Sequence, residues 1–129
     1  MRYMAPELFG FVRSDTESSS SRAQAADMWA LGEIAFQMLT KRPTFEDLRL
    51  LSNFVQTPNI FPDKVLHDHN VSDAGISFIT KIMQPKPEDR QIAAKALHDP
   101  WMEPHNSYIT GKVSTTVTEC VPAPNFEST

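Results

Sequence analysis

The sequence predicts a mainly α-helical protein, and three observations carry that reading. Residues 22–39, "RAQAADMWALGEIAFQML", are apolar at 23, 25, 26, 28–31, 34–36, 38 and 39. That is more than one stripe, and a helix apolar on most sides belongs inside a protein. Two further segments, 46–55 and 73–83, place apolar residues three and four apart, the spacing of one helix face. Prolines fall between these segments and not within them, as helices require. Valines 113, 117 and 121 could form a strand, but no partner strand is visible in the sequence.

Taken in order, "RSDTESSSS" (13–21) is polar and serine-rich and reads as a loop. The long helix over 22–39 follows, rich in Ala, Leu and Met, which favour helix. Gly32 within it costs about 1 kcal/mol relative to Ala, so a close backbone approach is expected there. "TKRP" ends it at Pro43. An amphipathic helix over 46–55 comes next, with Thr44 placed to cap it and Asp47 three residues on. Residues 56–71, with two prolines and no sustained period, read as an ordered loop. Ser72 caps a second amphipathic helix with Ile76, Ile79, Ile82 and Met83 on one face. Pro85 and Pro87 close it, and a short helix over 92–97 leads into "HDPWM". Beyond 102 the chain turns polar and proline-rich, and 103–129 is expected to be a disordered tail.

With 129 residues there is room for one ordinary domain. A net charge of -4 gives no basic surface for nucleic acid or an anionic membrane, so neither is expected as a partner. Cys120 stands alone, which excludes an internal disulfide. No apolar run approaches the roughly 18 residues that span a bilayer, and the first residues lack a signal-peptide core. The expectation is an intracellular, cytoplasmic protein. His67, His69, His98 and His105 show no metal-ligand spacing with the cysteine, so "HDHN" reads as a polar turn and no metal site is expected.

Four short motifs occur in sequence: "YMAPE" (3–7), "ADMWALGE" (26–33), "PEDR" (87–90) and "HDPW" (98–101). In this order, with these helical patterns between them, they resemble the helical C-terminal lobe of eukaryotic protein kinases of the serine/threonine type. The resemblance covers residues 2 to about 102, so that 1–102 is expected to be part of a kinase domain and 103–129 its tail. It implies a fold with one long buried helix, about 22–39, surrounded by shorter ones.

The resemblance also assigns roles. Ala5, Pro6 and Glu7 correspond to the motif that closes the activation segment, and its glutamate is expected to form a buried ion pair with Arg90. Asp27, Trp29 and Gly32 match the start of the family's central helix. There the aspartate accepts backbone hydrogen bonds from the catalytic loop. On the residues alone, the alternative for Asp27 is an exposed first-turn carboxylate favoured by the helix dipole. Trp29 and Trp101 are expected in the core. Arg2, Tyr3 and Met4 match the segment that docks the substrate residue after the phosphorylated one. Where the family commonly has Ser or Thr capping its last helix, this chain has Ile92.

Phosphoryl transfer in this family requires a Gly-rich loop, a strand lysine, His-Arg-Asp and Asp-Phe-Gly. None occurs in residues 1–129. The chain is therefore expected to be a kinase fragment with no catalytic, cofactor-binding or metal-binding residue of its own. ATP and Mg2+ are expected only for the complete domain, together with the N-terminal kinase half. Protein substrates or regulators are the expected partners. The alternative is a stand-alone, non-catalytic interaction module acting through the surface around 46–71, and an unrelated helical domain also remains open.

Overall fold

The computed structural model describes residues 3–13 and 18–103. Arg2 and the expected tail from 104 onward lie outside the described residues. Among the described residues there are five α-helices and no strand: α1 (Ser19–Thr40), α2 (Leu48–Gln56), α3 (Asp63–Asp68), α4 (Asp73–Ile82) and α5 (Ala93–Ala96). Short 3-10 turns at Pro6–Phe9, Pro58–Ile60 and Pro87–Asp89 link them.

Helix α1 is the frame. It starts inside the serine run, earlier than expected, because Ser18 is extended and its hydroxyl accepts the Ser21 N–H at 3.3 Å. Serine is a poor helix interior residue but a preferred cap. At its far end Lys41 takes a left-handed conformation, φ 61°, and donates its N–H to the Gln37 carbonyl.

One face of α1 is buried, through Met28, Trp29, Gly32, Glu33, Phe36 and Thr40. This face packs against α4 and α3 and against the Pro87–Asp89 turn. The opposite face is largely exposed. Leu31 and Ile34 are each 44% exposed and Met38 is 76% exposed, because the described chain supplies helices to one side only. At Gly32 α1 lies close against the end of α4: a Cβ there would overlap the Met83 side chain and press on Ile82.

Three other boundaries differ from expectation. Helix α2 is capped by Asp47, whose carboxylate accepts the Leu50 N–H at 2.9 Å, and not by Thr44. Thr44 is buried instead, with its N–H donated to Glu33 at 2.9 Å. The expected loop 56–71 contains α3, a six-residue helix whose Leu66 is fully buried. The polar "HDHN" stretch finishes this helix: His69 is its C-cap, and Asn70 adopts φ 62°. Ser72 does cap α4, accepting the Gly75 N–H at 3.2 Å. Helix α5 begins without a side-chain cap at Ile92, which is 56% exposed.

The core joins Trp29, Phe36, Phe54 and Phe61 with Leu66, Ile79, Ile82 and Met83. Phe45 stacks on Trp29 at 6.2 Å between centroids and lies 5.1 Å from Phe54. Trp101 is half-buried and packs on Phe78 at 5.2 Å.

Candidate functional site

Two features converge on the Tyr3–Phe9 segment: an ion pair that anchors it and a cavity beside it. The ion pair forms as follows. Pro6, at the first position of its turn, presets the backbone, and Gly10 ends the turn at φ 78°, a conformation that favours glycine. Glu7 is thereby turned toward Arg90. Arg90 donates from Nη2 to Glu7 Oε1 at 2.6 Å and from Nη1 to Glu7 Oε2 at 2.8 Å. This two-pronged geometry matches a planar guanidinium to a carboxylate.

The remaining donors of Arg90 are also used. Nε donates to the Gln84 carbonyl at 2.7 Å, Nη1 to that of Ala25 at 3.0 Å and Nη2 to that of Pro85 at 3.1 Å. All the N–H groups of the guanidinium are thus paired. One side chain, fully buried, ties together the Pro6–Phe9 turn, the early part of α1 and the loop after α4. Its guanidinium carbon also lies 5.2 Å from the centroid of Trp29, within cation–π range.

Ala5 is fully buried and Pro6 is buried beside it. Tyr3 and Met4 run out from this anchor toward α1. Tyr3 is 47% exposed and its hydroxyl donates to Gln37 Oε1 at 3.4 Å. Met4 lines a cavity of about 230 Å3 together with Phe9, Trp29, Phe45 and Leu51.

Of the residues named from sequence, the structure brings Glu7, Arg90 and Trp29 together and sets Tyr3 and Met4 over α1. Asp27 stands apart. It is exposed, receives no hydrogen bond from any described residue, and lies well past the first turn of α1. A helix-dipole role, which fades within the first turn, is therefore ruled out. Asp27 instead heads the exposed stripe of Leu31, Ile34 and Met38, which share one face by their four-, three- and four-residue steps.

Two carboxylates were not singled out by sequence pattern. Glu33 is 2% exposed and Asp99 3% exposed. Asp99 accepts the Trp101 N–H at 3.0 Å and the Lys81 ammonium at 3.2 Å, which pins the "HDPW" turn to α4. Glu33 could have been found from its register: it falls four residues after Trp29 and three before Phe36, on the buried face. Among the described residues no three His, Cys, Asp or Glu converge as a metal site, and no helix is long and apolar enough to cross a membrane.

Residues 1–102 match the protein kinase domain family. This chain belongs to that family. Serine/threonine-protein kinase 17A of Oryctolagus cuniculus is 29% identical over 102 residues, covering 78% of this chain and 23% of that kinase. MAP kinase kinase kinase win1 of Schizosaccharomyces pombe is 32% identical over 105 residues, covering 79% of this chain and 7% of that one. The crystal structure of the Rad53 kinase domain and SCD2 in complex with AMPPNP superposes with a TM-score of 0.63 at 26% identity. It covers 80% of this chain and 38% of that one. The chain thus spans a minor part of each of these kinases.

Proposed function

We propose that this chain forms the helical lobe of a serine/threonine protein kinase domain, where it holds the docking surface for protein substrates or regulators. The parent activity is transfer of the ATP γ-phosphate to a protein Ser or Thr. The observation that supports this reading best is the Glu7–Arg90 pair. It is a buried, fully hydrogen-bonded anchor beside which Met4 lines a cavity and Tyr3 reaches Gln37 on α1.

The chain's own residues do not fit a Mg-ATP site. A nucleotide's phosphates need a Gly-rich loop and a lysine, and the metal needs converging carboxylates; the sequence has no such loop, and among the described residues no three His, Cys, Asp or Glu are placed to hold a metal ion. No transfer step is therefore assigned to this chain. On this reading ATP and Mg2+ bind to the N-terminal half of a kinase domain, whether carried by the same protein or by another chain. The stripe of Asp27, Leu31, Ile34 and Met38 on α1 is the surface that half covers.

Titration calorimetry tests the division of labour. The 129-residue chain is expected to give no saturable heat with Mg-ATP, and saturable micromolar binding would overturn the assignment.

The alternative, a non-catalytic interaction module, draws support from the same cavity, since Phe45, Glu46, Asp47, Leu48 and Leu51 line it and lie within the 46–71 surface region or beside it.

A further inference from the structure

The cavity beside Met4 has a charge pattern that its apolar walls do not explain. Met4, Phe9, Trp29, Phe45 and Leu51 form the walls, while Glu33, Glu46 and Asp47 contribute three carboxylates. No Lys or Arg is among its described lining residues. Glu46 and Asp47 sit at the exposed edge and have loose partners in Arg42 at 3.4 Å and Arg49 at 3.9 Å.

Glu33 is different. It is 2% exposed, and both hydrogen bonds it accepts, from the Thr44 N–H at 2.9 Å and from Gln37 Nε2 at 3.1 Å, fall on Oε1. Oε2 accepts none from any described residue, and no described cation lies within ion-pair distance of Glu33. A buried carboxylate without a counter-charge is costly, and a cation delivered to it is correspondingly favoured.

We infer that this cavity is a binding site for a basic side chain, Lys or Arg, presented by a partner polypeptide, with Glu33 as the residue that sets the specificity. The volume, about 230 Å3, is below the roughly 300–1,000 Å3 of small-molecule pockets and suits one long side chain. Lys and Arg combine an aliphatic stem with a charged head, so the stem would lie along Met4, Phe45 and Leu51 while the head reaches Glu33. The inference rests on the docking reading of Met4, and not on catalysis by this chain.

The test uses host peptides identical except at one position, which carries Arg, Lys, citrulline, norleucine or Glu. Each is titrated into the full 129-residue chain by calorimetry, with the Met4 methyl signal followed by NMR. Citrulline keeps the shape of arginine without its charge. The Arg and Lys peptides are expected to bind at least about tenfold more tightly than citrulline or norleucine, to shift the Met4 signal, and to outcompete the Glu peptide.

In Glu33→Gln the amide oxygen can still accept from Thr44 and Gln37, so helicity should persist while the preference for charge disappears. Equal binding of the Arg and citrulline peptides by the wild-type chain overturns the proposal, whatever the variant does. So does the absence of any peptide-induced shift at Met4, or a folded Glu33→Gln chain that keeps the preference. None of these readouts involves phosphate transfer. Failure here leaves the kinase reading intact, and an inactive kinase leaves the cavity result intact.

Discussion

Glu7 and Arg90, 83 positions apart in the chain, meet through two hydrogen bonds of 2.6 and 2.8 Å with the arginine side chain wholly buried. Their geometry makes the pair a structural pin, and its loss should be felt by the whole fold. Removing one member of a buried pair strands the other charge, at about 3–5 kcal/mol. That is a large share of the roughly 5–15 kcal/mol that holds a domain together. Arg90→Ala is therefore expected to lower the melting temperature steeply. Arg90→Lys should do nearly the same, since an ammonium cannot reproduce the planar fork. Glu7→Ala should add little once Arg90 is gone. The exposed pair of Lys64 and Asp68, at 3.4 Å, is the control: Lys64→Ala should cost less than about 1 kcal/mol. Thermal melts of the single and double variants check this, and additive losses at positions 7 and 90 would contradict it.

Gly32 tests the contact between α1 and α4. In an open helix, Gly→Ala stabilises by about 1 kcal/mol. Here the new Cβ would overlap Met83, which is fully buried, and overpacking costs about 1–3 kcal/mol. Gly32→Ala should therefore lower the melting temperature in the native background. Combined with Met83→Ala, which empties the space, it should be neutral or stabilising relative to Met83→Ala alone. A stabilising Gly32→Ala in the native background would show that the two helices do not approach as described.

The stripe of Leu31, Ile34 and Met38 predicts solution behaviour. An exposed apolar patch on a helix face favours association. The 129-residue chain is expected to bind an apolar-surface dye and to sediment as larger species with rising concentration. Replacing the three residues by Gln should reduce both effects without loss of far-UV helicity. A monodisperse monomer with dye binding equal to that of the triple variant would show that the stripe does not drive association.

Much of the fold was legible in the sequence, for particular physical reasons. The 22–39 pattern marked α1 because so dense a run of apolar, helix-favouring residues must be packed against a core. Ser72 marked the start of α4 because a hydroxyl before a periodic segment is a cap. The serine start of α1 was not legible, since a serine run looks the same in a loop and at a helix entrance. Thr44, the expected cap of α2, gives way to Asp47. The bond from Thr44 N–H to Glu33 decided between them, and it is a contact across 11 positions that no local pattern shows. Helix α3 was hidden by brevity, with six residues bracketed by turn signals. The meeting of Glu7 and Arg90 could be inferred only through the family motifs, because nothing local points a glutamate at an arginine 83 positions away. The burial of Glu33 was not legible, because a glutamate in a helix usually faces water.

The measurement that tests the central claim most directly is a segment exchange. Residues 1–102 of this chain replace the matching region of the Rad53 kinase domain, which has been solved in complex with AMPPNP. Phosphate transfer to a protein substrate is then followed by phosphoamino-acid analysis. If this chain is the helical lobe of a serine/threonine kinase, the chimera should transfer phosphate to Ser or Thr and not to Tyr, and Arg90→Ala within it should sharply reduce the folded yield. The 129-residue chain alone should transfer none. A folded, nucleotide-binding chimera that transfers nothing, or transfer by the isolated chain, would contradict the account.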